Sequence, residues 1–85
     1  MDAQTGQTDA GAAPVTLGAQ ELRAMTLYAS GHSIRLVAQA MGTTDETVKS
    51  YLKRGRRKYR DAGVDLGSRL LLRQHAIREG WLDSA

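Results

Sequence analysis

The chain of 85 residues has no cysteine, which excludes both a disulfide framework and a thiolate metal site. Its cohesion has to come from apolar packing. It has only two histidines, His32 and His75. They stand far apart with no second ligand at a metal spacing, and a lone histidine needs a partner to act as a base or a ligand. Both are read as surface or loop residues. No apolar run approaches the roughly 20 residues that span a bilayer. The N-terminus lacks the charged-then-apolar order of a signal peptide. A soluble, cytoplasmic protein with no membrane partner is expected. No nucleophile, base and orienting group occur together at a motif spacing. A domain this small buries only about 60% of the surface its unfolded chain exposes, too little to wall a deep catalytic cleft. Neither an enzyme nor a cofactor or metal is expected. There is no internal repeat.

What the chain does have is a succession of helix signals. Residues 1–14 (MDAQTGQTDAGAAP) offer nothing to bury and are expected to form a disordered tail or linker, leaving 15–85 as a single domain. Val15 and Leu17 are the first core candidates. A first helix is predicted over 18–30, with Gly18 as a tolerable N-cap and Glu21 in the first turn, where negative charge is favoured. Leu22, Met25, Tyr28 and Ala29 recur at helical spacing as its buried stripe, and Gly31 supplies the stop. A second helix over 33–41 takes Ser33 as its cap and Ile34, Val37, Ala38 and Met41 as its apolar face. Gly42 ends it, since the position after a helix often needs positive φ.

Thr43 and Thr44 make the next turn. Thr44 caps a third helix over 45–61, with Asp45 and Glu46 at the positive end of its dipole. Val48, Leu52, Gly55 and Tyr59 line up on one face of it. Lys49, Lys53, Arg56 and Arg60 follow the same spacing one position on, so one face packs and the other is charged. Residues 62–67 read as a loop with Val64 or Leu66 tucked inward, and Asp61 and Asp65 as turn formers. Ser68 caps a fourth helix over 69–79. Its apolar residues Leu70, Leu71, Leu72, Ala76 and Ile77 cover more than one face. Gly80 ends it, and Trp81 and Leu82 fold back onto the core. The fold class expected is all-α, a small four-helix domain.

The net charge is only +3, but Lys49, Lys53, Arg54, Arg56, Arg57, Lys58 and Arg60 fall in one short run. A local basic stripe is the electrostatic footprint of a polyanion partner. Charge by itself leaves a plain solvated helix face equally open. Residues 31–53 (GHSIRLVAQAMGTTDETVKSYLK) favour the polyanion. Two helices joined by a tight turn, the second with cations on one side, are how a small fold delivers side chains to the major groove.

Over residues 17–82 the sequence resembles the LuxR-type helix-turn-helix, the DNA-binding domain at the C-terminus of many bacterial response regulators. The resemblance is carried by Glu21 with Leu22, Ala29-x-Gly31, Val37-Ala38, Met41-Gly42, Thr47-Val48-Lys49 and the late Gly80-Trp81-Leu82. The segment from Tyr51 to Lys58-Tyr59 and Ala62-Gly63 is similar to an actinobacterial variant with a longer third helix. The resemblance implies a sequence-specific regulator of transcription that reads double-stranded DNA with its third helix. Lys49, Ser50 and Lys53 would reach base edges, and Thr44, Thr47, Tyr51, Arg54, Arg56 and Arg57 would lie on or near phosphates. It also implies a homodimer on DNA, with a seam at Leu71, Leu72 and His75, against the alternative that the Leu70–Leu72 run is pure core. Gly18, Tyr51 and Gly55 depart from the family pattern. Gly55 costs roughly 0.5–1 kcal/mol relative to alanine in mid-helix and leaves a gap that Trp81, Tyr59 or a bend would have to fill.

Two other readings compete. One is an interaction module that docks on another regulator or on RNA polymerase through the fourth helix. The other is the promoter-binding region of a sigma factor, which shares the helix-turn-helix geometry. The fourth helix and the Gly80-Trp81-Leu82 ending argue against the sigma-factor reading.

Overall fold

The computed structural model describes residues 15–83, and the tail expected over 1–14 lies outside them. The described residues form four helices and no strand: α1 (Ala19–Ala29), α2 (Ile34–Met41), α3 (Asp45–Asp61) and α4 (Arg69–Arg78). Local chemistry sets each start. Ser33, Thr44 and Ser68 stand in extended conformation before α2, α3 and α4, and each side-chain oxygen accepts the backbone N–H three residues on. Such caps satisfy an amide that the helix itself cannot. Gly18 has no side chain to do this before α1. The reverse half of a capping box remains, as Gly18 N–H donates to Glu21 Oε1 at 3.0 Å.

The turn between α2 and α3 is fixed by Gly42, whose φ of 66° is left-handed. That conformation lets Thr43 N–H reach back to Ala38 O at 2.9 Å, closing the end of α2 and directing the chain into Thr44 within two residues. α2 and α3 are thereby packed against each other across a tight turn, as in a helix-turn-helix, with α1 against both and α4 against α1. Asp65 closes the α3–α4 loop by accepting Gly67 N–H at 2.8 Å.

The core gathers Met25 from α1, Val37 from α2, Val48 from α3 and Leu72 from α4, all fully buried. Each such side chain contributes about 1.5–3 kcal/mol relative to exposure. Val48, Leu52, Gly55 and Tyr59 all face inward on α3, as their spacing requires. Leu66 is buried and Val64 packs beside it.

Three expectations about the core are corrected. In α1 the inward residues are Glu21, Ala24, Met25 and Ala29, while Leu22 is exposed. The helix is turned so that Glu21 reaches Lys58 of α3, an ion pair of 2.7 Å. The space at Gly55 is filled neither by Trp81 nor by Tyr59. It is filled by Met25, whose Sδ lies where a Cβ on residue 55 would point. His75 is not at the surface. It is buried in an edge-on aromatic cluster, its ring 4.6 Å from that of Tyr59 and 5.3 Å from that of Trp81. Its Nε2 has no hydrogen-bond partner, and burial pushes its pKa down.

Candidate nucleic-acid interface

With Val48, Leu52, Gly55 and Tyr59 turned into the core, the 3.6-residue period sends the remaining side chains of α3 outward. Lys49, Ser50 and Lys53 are all exposed. Lys49 is paired only with Glu46 on the previous turn, at 3.3 Å. An exposed pair of this kind contributes about 0.3–0.5 kcal/mol, so a polyanion displaces it at little cost. Among the described residues Lys53, Arg54, Arg57 and Arg60 make no ion pair. Their charge is available to a partner.

The residues assigned to phosphates fall into two groups. Thr44, Thr47, Tyr51 and Arg54 line the flank of α3 that begins at its N-terminus. Thr44 Oγ1 accepts Thr47 N–H and donates to Thr47 Oγ1 at 3.0 Å. Its hydroxyl is therefore engaged in capping, and the hydroxyl proton of Thr47 is the one left for an outside acceptor. Arg54 lies over the Tyr51 ring, 5.7 Å from its centre. Arg56 and Arg57 belong to the opposite flank. There Lys49, Lys53, Arg56, Arg57 and Arg60 wall a groove of about 470 Å³ with Tyr28, Ile34 and Leu52 beside them. Arg56 is steered into the groove by two contacts: its Nε donates to Leu66 O at 3.1 Å, and its guanidinium sits 5.5 Å from the centre of the Tyr28 ring.

One member of the basic run is structural. Lys58 turns away from the groove and donates to Glu21 at 2.7 Å and to Thr16 O at 3.3 Å. Lys58 and the Gly18 amide together hold the Glu21 carboxyl below its usual range. Charge spacing alone does not distinguish this lysine from its neighbours, because its partner lies 37 residues earlier.

The proposed dimer seam is corrected by burial. Leu72 is fully buried and His75 nearly so, both spent on the core. Of the three only Leu71 is open, next to the more exposed Leu70. Sequence reasoning placed Arg60 on the charged face without assigning it a contact, and it missed Tyr28 and Arg69. Arg69 opens α4, yet its guanidinium lies 4.0 Å from the centre of the Tyr28 ring and donates to His32 O at 3.0 Å. No local pattern signals a contact that spans 37 residues.

No helix among the described residues is long and apolar enough to cross a membrane. Residues 16–58 match the family described as sigma-70, region 4. This span holds α1, α2 and most of α3, just over half of the chain. No curated protein and no solved structure gives a significant match. The match supports the helix-turn-helix DNA-binding class and names the sigma-factor family rather than the LuxR-type one. It ends before α4 and Gly80-Trp81-Leu82, the features that weighed against a sigma factor.

Proposed function

The chain belongs to the sigma-70 region 4 family of helix-turn-helix DNA-binding domains, and from that premise we propose that it is a transcription factor domain that reads promoter DNA with α3. The observation that carries the proposal is the division of α3 into two faces. One side is committed to the core, and the other carries five exposed or half-exposed cations around a groove. Lys49, Ser50 and Lys53 contact base edges in the major groove. A lysine ammonium donates to guanine O6 and N7, and a serine hydroxyl donates or accepts. Thr47, Tyr51, Arg54, Arg56 and Arg57 lie on or near phosphates, which fix register and supply affinity without sequence information. RNA polymerase is the natural protein partner of a domain in this family.

The LuxR-type reading differs in what surrounds this domain, not in how α3 meets DNA. It rests on the motifs from Glu21-Leu22 to Thr47-Val48-Lys49 together with the late Gly80-Trp81-Leu82, and makes the chain part of a stand-alone or receiver-linked regulator. A second reading, docking on RNA polymerase through α4, is favoured by the exposure of Leu70 and Leu71. Cross-linking without DNA separates it: a complex that survives high salt supports docking.

Duplexes selected from random DNA, followed by gel shift with the Lys49→Ala/Lys53→Ala variant, test the main proposal. The slope of log K against log salt reports about 0.9 per neutralised phosphate. A slope of about −3 or steeper is expected for the parent chain from Arg54, Arg56 and Arg57, and at least a tenfold loss of affinity for the selected sequence in the variant. Equal affinity of variant and parent refutes groove reading by α3.

A further inference from the structure

Two guanidinium groups share one aromatic ring at the edge of the interface. Arg56 reaches the Tyr28 ring from α3 and Arg69 reaches it from the start of α4, at 5.5 and 4.0 Å from its centre. Each is also tied to a backbone carbonyl, Arg56 Nε to Leu66 O and Arg69 to His32 O. These ties hold both groups in place, so little rotamer freedom is left for a partner to remove. Neither has a carboxylate partner, since the ion pairs among the described residues are Lys49–Glu46 and Lys58–Glu21. Lys53, Arg57 and Arg60 stand along the same groove and add to the positive field. The first residue of α2, Ile34, lines the groove as well.

Like charges held against one ring without a counter-charge repel one another. The folded chain bears that repulsion on a half-buried tyrosine when solvent lies open beyond it. An anion brought to either arginine offsets that repulsion, and a guanidinium presents paired N–H donors that suit phosphate oxygens.

We propose that Arg56 and Arg69, both seated on Tyr28, form a clamp on two backbone phosphates of the bound duplex, one at each guanidinium, so that the DNA footprint extends from α3 to α4. This rests on the DNA-binding reading above. It adds a contact from a helix that lies outside the matched residues 16–58. The clamp takes phosphate and not base. Its contribution is therefore the same on every sequence and is sensitive to salt.

The test is fluorescence polarisation of a labelled duplex between roughly 50 and 200 mM salt, with the full chain and its Arg69→Gln, Arg69→Lys and Arg78→Gln variants. Arg78 lies at the far end of α4 and is the control. Arg69→Gln is expected to weaken binding about fivefold on selected and scrambled duplexes alike, and to make the salt slope shallower by about 0.9. Arg69→Lys keeps the charge and should retain the parent slope, and Arg78→Gln should leave both quantities unchanged. Thermal melting of each variant shows that the fold is intact. Should Arg69→Gln destabilise the chain, the slope measured with the remaining folded protein still decides, because a purely structural role does not change the number of ions released. An unchanged slope in Arg69→Gln overturns the clamp, as does a loss confined to the selected sequence. If the parent binds duplex and Lys49→Ala/Lys53→Ala abolishes it while Arg69→Gln does nothing, the clamp alone falls. If the parent binds no duplex, the clamp and the DNA reading fall together.

Discussion

Gly55 sits at the buried centre of α3, where alanine would be the better helix former by about 1 kcal/mol. The reason for glycine lies on another helix. A Cβ there would run into Met25 Sδ and come within 3.3 Å of Met25 Cγ, and Met25 is fully buried with no room to retreat. Overpacking of this kind costs about 1–3 kcal/mol. Gly55→Ala is therefore expected to lower stability by about 1 kcal/mol net, despite its propensity gain. Met25→Ala alone costs about 2–5 kcal/mol through its cavity. The double variant should be less destabilised than the sum of the two, because the new methyl enters the space the thioether leaves. Urea unfolding of the four proteins closes the cycle; additive losses would show that the two residues are not in contact. The sequence shows Gly55 as an anomaly on an otherwise regular apolar face. It does not show what fills the gap, because Met25 is 30 residues away and helical spacing describes one helix at a time.

At the scale of elements, the starts of α2, α3 and α4 are legible in the sequence because caps are local. Ser33, Thr44 and Ser68 each bond within three residues of themselves, and Gly42 ends α2 by its own backbone preference. The rotation of α1 about its axis is not legible. Hydrophobicity points Leu22 inward, whereas the structure buries Glu21, whose carboxylate accepts from Gly18 N–H and Lys58 Nζ. A tie from α1 to α3 outweighs the burial of one leucine on a helix that has Ala24, Met25 and Ala29 to bury already. The tie has a pH signature. Lys58 first, and the Gly18 amide second, hold the Glu21 pKa below its ordinary value of 4.5. The folded state thus favours the ionised form. Its stabilisation is complete above the unfolded value and is lost as pH falls through 4.5 and on through the lowered folded value. Glu21→Gln should therefore be less stable than the parent by about 1–2 kcal/mol at neutral pH, with the gap narrowing as the pH falls below 4.5. Denaturant midpoints at neutral pH and at a series of values below 4.5 check this. A gap that persists undiminished in acid would mean that the charge on Glu21 is not what links α1 to α3.

For the molecule as a whole, the charged face of α3 is readable from a dozen consecutive residues, whereas the groove beside it needs Tyr28 and Ile34 from other helices. The same holds for the boundary of the folding unit. The sigma-70 region 4 match stops at Lys58, but the core does not. Leu72 and Ala76 of α4 are fully buried, and with His75 they cover α1 and the inward end of α3. Replacing Leu72 alone with alanine should cost about 2–5 kcal/mol, a large part of the 5–15 kcal/mol that holds a typical domain together. Removing α4 altogether strips away Leu72, His75, Ala76 and the Trp81 fold-back at once. A chain ending at Gly67 is therefore expected to lose cooperative thermal unfolding and most of its far-ultraviolet helical signal at about 25 °C, and with them the proposed DNA binding, although every residue proposed to touch bases is present. Leu72→Ala in the full chain should stay folded, with a lowered midpoint. Circular dichroism melts of the three proteins decide between a four-helix unit and a three-helix unit with an appendage. A truncated chain that melts within a few degrees of the parent would make α4 the appendage, and α1–α3 a domain stable without it.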